Sequence, residues 1–177
     1  MRMGIGFDLH AFEQGRRLVL GGVEIPSAKG LKGHSDADVL THAVCDALLG
    51  ACGEGDIGEH FPDTDNSFKN ISSLELLKRV LARLTRKGFR IENVDTIVIM
   101  EEPKLSPFKG AIRKKLAQTL RLPEAQVNIK AKTAEGLGSL GRGEGIASYA
   151  VAALSRTADF ESGLKIGRAI ENRKSKN

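Results

Sequence analysis

The chain has 177 residues, with 27 Lys+Arg against 22 Asp+Glu for a formal charge of +5, and is 41% hydrophobic and 28% charged. That length suits one domain of ordinary size with a sizeable core, which excludes wholesale disorder. No run approaches the ~20 apolar residues of a membrane-spanning helix, the first residues lack a secretory leader pattern, and the absence of Trp with a single Tyr argues against a base-stacking surface for single-stranded nucleic acid.

Residues 1–10 alternate apolar and polar groups through Met3, Ile5, Phe7 and Leu9, which predicts a strand. Leu18, Val19 and Leu20, the Gly21-Gly22 turn, then Val23 and Ile25 before Pro26 predict a hairpin. Ser27 to Gly33 reads as loop. Val39, Leu40, Ala43, Val44, Ala47, Leu48 and Ala51 recur at helical spacing behind Ser35 or Asp36 as cap, and Gly53 and Gly55 supply the stop. Cys45 and Cys52 share that helix at ~10 Å of rise, beyond disulfide reach, and read as buried apolar fillers in a reducing compartment.

The segment from Gly53 to Asn70, rich in Gly, Asp, Pro and Asn, exceeds ordinary connections and is a candidate functional loop. Ser72 and Glu75 have capping-box spacing before a helix through Leu74, Leu77, Leu81 and Leu84, closed by Gly88. Its Arg79, Arg83, Arg86 and Lys87 read as a solvated face. Val94 to Met100 is a β-branched strand, with Pro103 and Pro107 in the loop after it. Ile112, Leu116 and Leu120 mark a helix ending near Pro123; Val127, Ile129 and Ala131 alternate as a strand; a glycine-rich loop at 136–145 leads to a predicted helix at Ile146–Leu154. The expectation is a single α/β domain over residues 1–157, its mixed sheet covered by helices on one face in two α+β layers. Residues 158–177, with Lys165, Arg168, Arg173, Lys174 and Lys176, are expected as a basic tail, either a short docking helix or, by default, a mobile end.

Four constellations carry chemistry. Asp8 and His10 stand at i and i+2 on a strand and share a face; with His42 they offer two imidazoles and a carboxylate, a set that suits catalytic zinc and equally non-haem Fe(II). Asp38, His42 and Asp46 form an i, i+4, i+8 stripe, so a carboxylate could orient His42 from behind. Asp56, Asp63 and Asp65 present acceptors for a hydroxyl-rich ligand, while His60 reads as solvated. Lys132, Thr133 and Arg142, around a Gly-rich loop, offer donors to phosphate, and Glu135 beside them suggests a hard cation such as Mg²⁺.

GFDLHAF at 6–12, LGGVEIP at 20–26, GHSDADVLTHAVCDALLGA at 33–51, GDIGEHFPDTD at 55–65, EPK at 102–104 and GRGEGIA at 141–147 closely resemble the 2-C-methyl-D-erythritol 2,4-cyclodiphosphate synthase family of the non-mevalonate isoprenoid pathway. The resemblance runs from Met1 to about Leu154. It implies a cytoplasmic lyase, or a plastid stromal one if a transit peptide has been removed, that is a homotrimer with active sites between subunits. Its substrate would be a small phosphorylated cytidine nucleotide, with no nucleic acid or membrane as partner. By the same resemblance Asp8, His10 and His42 hold Zn²⁺, Glu135 helps hold Mg²⁺ or Mn²⁺ on the diphosphate, and His34 and Thr133 stabilise the transition state. Asp56, Gly58, Phe61, Pro62, Asp63, Thr64 and Asp65 would hold the methylerythritol part, and Ser35 and Ile57 would also bind substrate. Met100, Pro103, Lys104, Ala131, Lys132, Thr133 and Ala134 would take the cytidine and its phosphates, with Arg142 nearby. Two positions depart from the family: Lys132 is often Thr, and Ser139 is often Phe at the wall of a trimer cavity where relatives can hold an isoprenoid diphosphate. Phe7, Arg142 and Glu144, the rim of that cavity in relatives, are present. An Fe(II) oxygenase and a non-catalytic phosphate-ligand binder are the rival readings.

Overall fold

Strand β1 (Arg2–Gln14) is the element on which the site is built, and its alternation is the reverse of a usual core strand. In the computed structural model, which describes residues 1–157, Met3, Ile5, Phe7 and Leu9 face outward while Gly4, Gly6, Asp8 and His10 face the helix layer. The glycines explain the choice. A Cβ on Gly4 or Gly6 would run into the backbone of helix α1 (Val39–Cys52) at Ala47, Ala51 and Ala43, so their absence of side chain lets α1 lie directly on the strand. A helix that close buries nearly everything on its own surface, including Leu40, Val44, Leu48 and both free cysteines.

The hairpin β2 (Leu18–Leu20) and β3 (Val23–Ile25) forms as expected around Gly21 and Gly22, both at positive φ. The segment read as loop contains a further strand, β4 (Lys29–Leu31), paired antiparallel to the end of β1. Within the long segment after α1 lie a single-turn helix α2 (Ile57–His60) and a 3₁₀ turn at Asn66–Phe68. Helix α3 (Ser73–Arg86), strand β5 (Phe89–Ile99), helix α4 (Lys109–Leu120), strand β6 (Val127–Lys132) and the short α5 (Gly138–Gly141) follow.

The largest correction concerns Ile146–Leu154, predicted helical: it is strand β7 (Gly145–Arg156). Its alanines favour helix intrinsically, but the segment pairs along its length with β1 on one side and β5 on the other, and this central seat overrides propensity. Small residues at Ala150 and Ala152 let α1 approach here too. The main sheet runs β4-β1-β7-β5-β6, antiparallel except for the parallel β5–β6 pair. Helices α1, α3 and α4 share the core on one face, which gives the expected two-layer arrangement.

Two caps also differ from expectation. The cap of α1 is Asp38, whose carboxylate accepts from Thr41 N–H at 3.0 Å, because Ser35 and Asp36 are turned to other partners. Ser72 precedes α3 without a side-chain cap, and Glu75 pairs with Lys78 rather than reaching back. The first-turn amide of Ser73 is taken instead by Asp36 Oδ2 at 3.0 Å, a long-range cap no local spacing reveals. On the outer face of α3, Arg83 and Lys87 pair with Glu54, and Arg79 lies over the Phe68 ring. No helix among the described residues is long and apolar enough to cross a membrane. The expected mobile tail lies outside the described residues.

Candidate active site

Where α1 crosses β1, three ligand atoms converge. Asp8 and His10 project from one face of β1 by strand geometry, and His42, at the end of the first turn of α1, meets them. Asp8 Oδ2 lies 2.9 Å from His10 Nε2 and 2.9 Å from His42 Nδ1, and the two nitrogens are 3.2 Å apart. The side chains are 11–25% exposed, so the cluster is reachable from solvent.

The partners behind each ring fix its tautomer. His10 Nδ1 is 2.6 Å from the Lys32 carbonyl oxygen, which can only accept; Nδ1 therefore carries the proton and Nε2 a lone pair. His42 Nε2 is 2.8 Å from the Ser73 hydroxyl, whose own proton goes to Asp36 Oδ1. The hydroxyl thus accepts from His42 Nε2–H, and Nδ1 is left with its lone pair. With both rings neutral, three acceptors then face one another, an arrangement suited to holding a cation. The spacings fit nitrogen and oxygen ligands sharing one ion at bonds of about 2.0–2.2 Å. Without an ion, relief comes only by protonation. Burial opposes charge on both groups, yet bonds and charges within the cluster outweigh it, holding the Asp8 carboxyl far below the usual carboxylate range and raising His10 above an ordinary histidine.

The expected Asp38–His42–Asp46 stripe does not act on the ring. Asp38 is fully buried and accepts from the amides of Gly21, Gly22 and Thr41 and from the Thr41 hydroxyl; burial, with the nearby charge of Asp36, pushes its carboxyl up. Asp46 accepts from Ile57 N–H at 2.8 Å and so ties α2 to α1. Ser35 is buried with its hydroxyl 3.1 Å from His42 Nε2, and Arg16 donates to its carbonyl at 2.7 Å.

His34 joins this centre to the loop after α1: its Nε2 is 3.0 Å from the Asp65 carbonyl oxygen, and its own carbonyl accepts from Asn70 N–H at 2.8 Å. In that loop Asp56 caps α2 and Asp65 caps the 3₁₀ turn, while Pro62, Asp63, Thr64 and Gly58 are exposed. Phe61 stacks edge-on against Phe68 at 5.4 Å and Ile57 packs against the core, which anchors the loop. His60 is not solvated as expected but half-buried, 2.7 Å from the Glu54 carbonyl oxygen.

A second group gathers at the carboxyl ends of the parallel pair β5 and β6, the usual position for ligand loops beside parallel strands. Met100 N–H donates to the Lys132 carbonyl at 3.0 Å, and Ala134 N–H to Glu101 Oε1 at 2.8 Å, which joins Met100, Pro103 and Lys104 to the run Ala131–Glu135. Thr133 Oγ1 donates to Glu135 Oε1 at 2.6 Å, and Glu135 holds φ 52°. Arg142, paired with Glu144, lines a cleft of about 450 Å³ with Pro103, Glu101 and Phe12, the residue two beyond His10 on β1. Glu135 does not join the Asp8–His10–His42 cluster within the described chain. Outside the GFDLHAF motif that ends in Phe12, no sequence pattern marks Ser73 or Arg16. Phe12 carries a weak signal, as the next residue on the face of Asp8 and His10; Ser73 carries none, because its partner Asp36 is 37 residues away.

The model of the YgbB family matches residues 1–155. A 2-C-methyl-D-erythritol 2,4-cyclodiphosphate synthase of Pelotomaculum thermopropionicum is 57% identical over 89% of this chain and 97% of its own. Among solved structures, a CDP-bound 2C-methyl-D-erythritol-2,4-cyclodiphosphate synthase superposes with TM-score 0.81 at 36% identity, covering 87% of this chain and 100% of that one. The bifunctional IspDF of Campylobacter jejuni gives TM-score 0.85 at 48% identity over 88% of this chain, which spans 42% of that longer protein.

Proposed function

The chain belongs to the YgbB family, and from that membership we infer that it converts 4-diphosphocytidyl-2-C-methyl-D-erythritol 2-phosphate to 2-C-methyl-D-erythritol 2,4-cyclodiphosphate with release of CMP. A phosphate oxygen of the 2-phosphate attacks the β-phosphorus, and the bond from that phosphorus to the bridging oxygen breaks. CMP departs with the bridging oxygen. The reaction is an intramolecular phosphoryl transfer, so the protein's work is alignment and stabilisation of charge on oxygen rather than supply of a nucleophile. The observation that carries this reading, beside family membership, is the convergence of one ligand atom each from Asp8, His10 and His42 within 3.2 Å of one another.

We assign Zn²⁺ to that triangle and Mg²⁺ or Mn²⁺ to Glu135 on the substrate diphosphate; when bound, these cations supply Lewis-acid stabilisation of phosphoryl charge. Asp8, His10 and His42 would hold the first ion. Glu135, which accepts from the Thr133 hydroxyl at 2.6 Å, would help hold the second, whose charge would steady the leaving phosphate. His34 and Thr133 donate to phosphoryl oxygens as charge develops. Asp56, Ile57, Gly58 and the run Phe61–Asp65 receive the hydroxyls of the methylerythritol part. The ends of β5 and β6 take the cytidine and its phosphates, with Lys104, Lys132 and Arg142 meeting their charge; the CDP-bound relative supports a cytidine nucleotide here.

The two groups complete one another in a homotrimer whose active sites lie between subunits. Its support is the sheet face that no helix among the described residues covers, where Met3 is 69%, Ile5 70% and Leu9 51% exposed, a contiguous apolar row of the kind that marks an interaction surface. The same assembly would enclose a cavity rimmed by Phe7, Arg142 and Glu144 for an isoprenoid diphosphate. The family match over residues 1–155 supports residues 1–157 as the synthase domain, and the bacterial relatives with the two free buried cysteines support a cytoplasmic site of action. Incubating the protein with substrate, Zn²⁺ and Mg²⁺ is expected to release CMP and the cyclic diphosphate in equal amounts, and a chelator to stop it. Absence of CMP in the metal-replete protein would overturn the reading.

A further inference from the structure

Behind His42 runs a chain of polar groups that the reaction does not use directly. Ser73 is completely buried at the start of α3, with its hydroxyl 2.8 Å from His42 Nε2. Asp36 accepts that hydroxyl's proton at Oδ1 and the Ser73 amide at Oδ2. Ser35, the other hydroxyl near the ring, is 3.1 Å from Nε2 and 3.5 Å from Ser73 Oγ. Only Ser73 has its proton committed to a carboxylate, so only Ser73 is obliged to present a lone pair to the imidazole.

We propose that Ser73, with its hydroxyl oriented by Asp36, is the positioning residue that keeps the proton of His42 on Nε2 and its Nδ1 lone pair aimed at the shared point with Asp8 and His10. This rests on the reading of those three residues as metal ligands. Outer partners of this kind fix the tautomer and orientation of a ligand histidine. Here the partner is carried by a different helix. Asp36 takes the first backbone N–H of α3, at Ser73, while Ser72 makes no side-chain cap, so the contact capping α3 also sets the ring on α1. The docking of α3 and the readiness of the metal centre are thereby one feature.

The test compares wild type with Ser73→Ala and Asp36→Asn, reading zinc affinity by chelator competition and thermal stability of the metal-free protein. Ser73→Ala removes the acceptor with little change of volume. Asp36→Asn puts an amide where every contact is with a donor, so at least one donor is opposed. Both are expected to lose zinc affinity by about 10- to 100-fold. Val80→Ala, a buried change in α3 away from the ring, lowers the melting temperature but leaves zinc affinity as in wild type. Wild-type affinity retained in both Ser73→Ala and Asp36→Asn overturns the proposal while leaving the metal reading intact. A loss in Val80→Ala equal to theirs also overturns it, since the effect would then be general loosening. A wild type that binds no zinc at all defeats the metal reading itself, and this inference with it.

Discussion

Gly6→Ala tests the link between packing and chemistry with a single methyl group. A Cβ at Gly6 would lie 2.6 Å from the Ala47 nitrogen and closer still to the Ala43 carbonyl oxygen, both backbone atoms of α1. No rotamer change relieves such a contact. Restoring an ordinary separation of about 3.5 Å from the nearer of these atoms requires α1 to withdraw from β1 by about 1.5 Å. His42 adjoins Ala43 on the same helix, so its Nδ1 moves too, opening the present 2.9 and 3.2 Å separations to about 4.5 Å or more, too wide for two bonds of about 2.0–2.2 Å to one ion. Overpacking of this kind costs about 3 kcal/mol or more, and at about 2–4 °C per kcal/mol for this chain length the melting temperature falls by roughly 6–12 °C. The assay pairs a thermal melt with zinc stoichiometry. Gly110→Ala serves as control, since nothing lies within 4 Å of a Cβ there, and it should stay within about 0.5 kcal/mol of wild type. A Gly6→Ala protein with wild-type melting temperature and full zinc would refute the claim that glycine contact sets the metal geometry.

His42→Ala should lose zinc and turnover by roughly a hundredfold or more while circular dichroism stays native, because α1 keeps its Asp38 cap and apolar contacts; unfolding at ambient temperature would contradict this. Acid should strip the metal early. The metal-free His10 holds its proton above the ordinary histidine range, so protons compete at a higher pH than 6.5, and affinity falls as pH drops through that raised value; a chelating-dye titration showing loss only well below pH 6 would oppose it. Ile5→Glu, on the open sheet face, should cost the single chain under about 0.5 kcal/mol yet give a monomer with at least tenfold less activity, as read by light scattering and CMP release; an intact active trimer would refute the assignment of that face.

Much of the site was legible because its chemistry follows from local rules. Asp8 and His10 share a face by strand period alone, and their meeting with His42 is what two imidazoles and a carboxylate on adjoining elements suggest. The hairpin followed from Gly21-Gly22, and α1 and α4 followed from their apolar spacing. What stayed hidden was set by distant partners. β7 contains enough alanine to read as helix, and only its seat between β1 and β5 makes it a strand. The outward face of β1 looked like any core alternation; the two glycines that reverse it matter only once α1 is laid against them. Asp36, with Ser35 the cap that the sequence suggests for α1, stands two residues before the true cap Asp38, yet its carboxylate serves a helix 37 residues on.

Metal analysis of purified wild type beside Asp8→Ala tests the central claim most directly. Removing one of three ligands from a shared ion leaves two imidazoles that no longer hold it tightly. Inductively coupled plasma mass spectrometry should find one zinc per chain in wild type and almost none in the variant. Iron in place of zinc, or equal zinc in both proteins, would contradict the account.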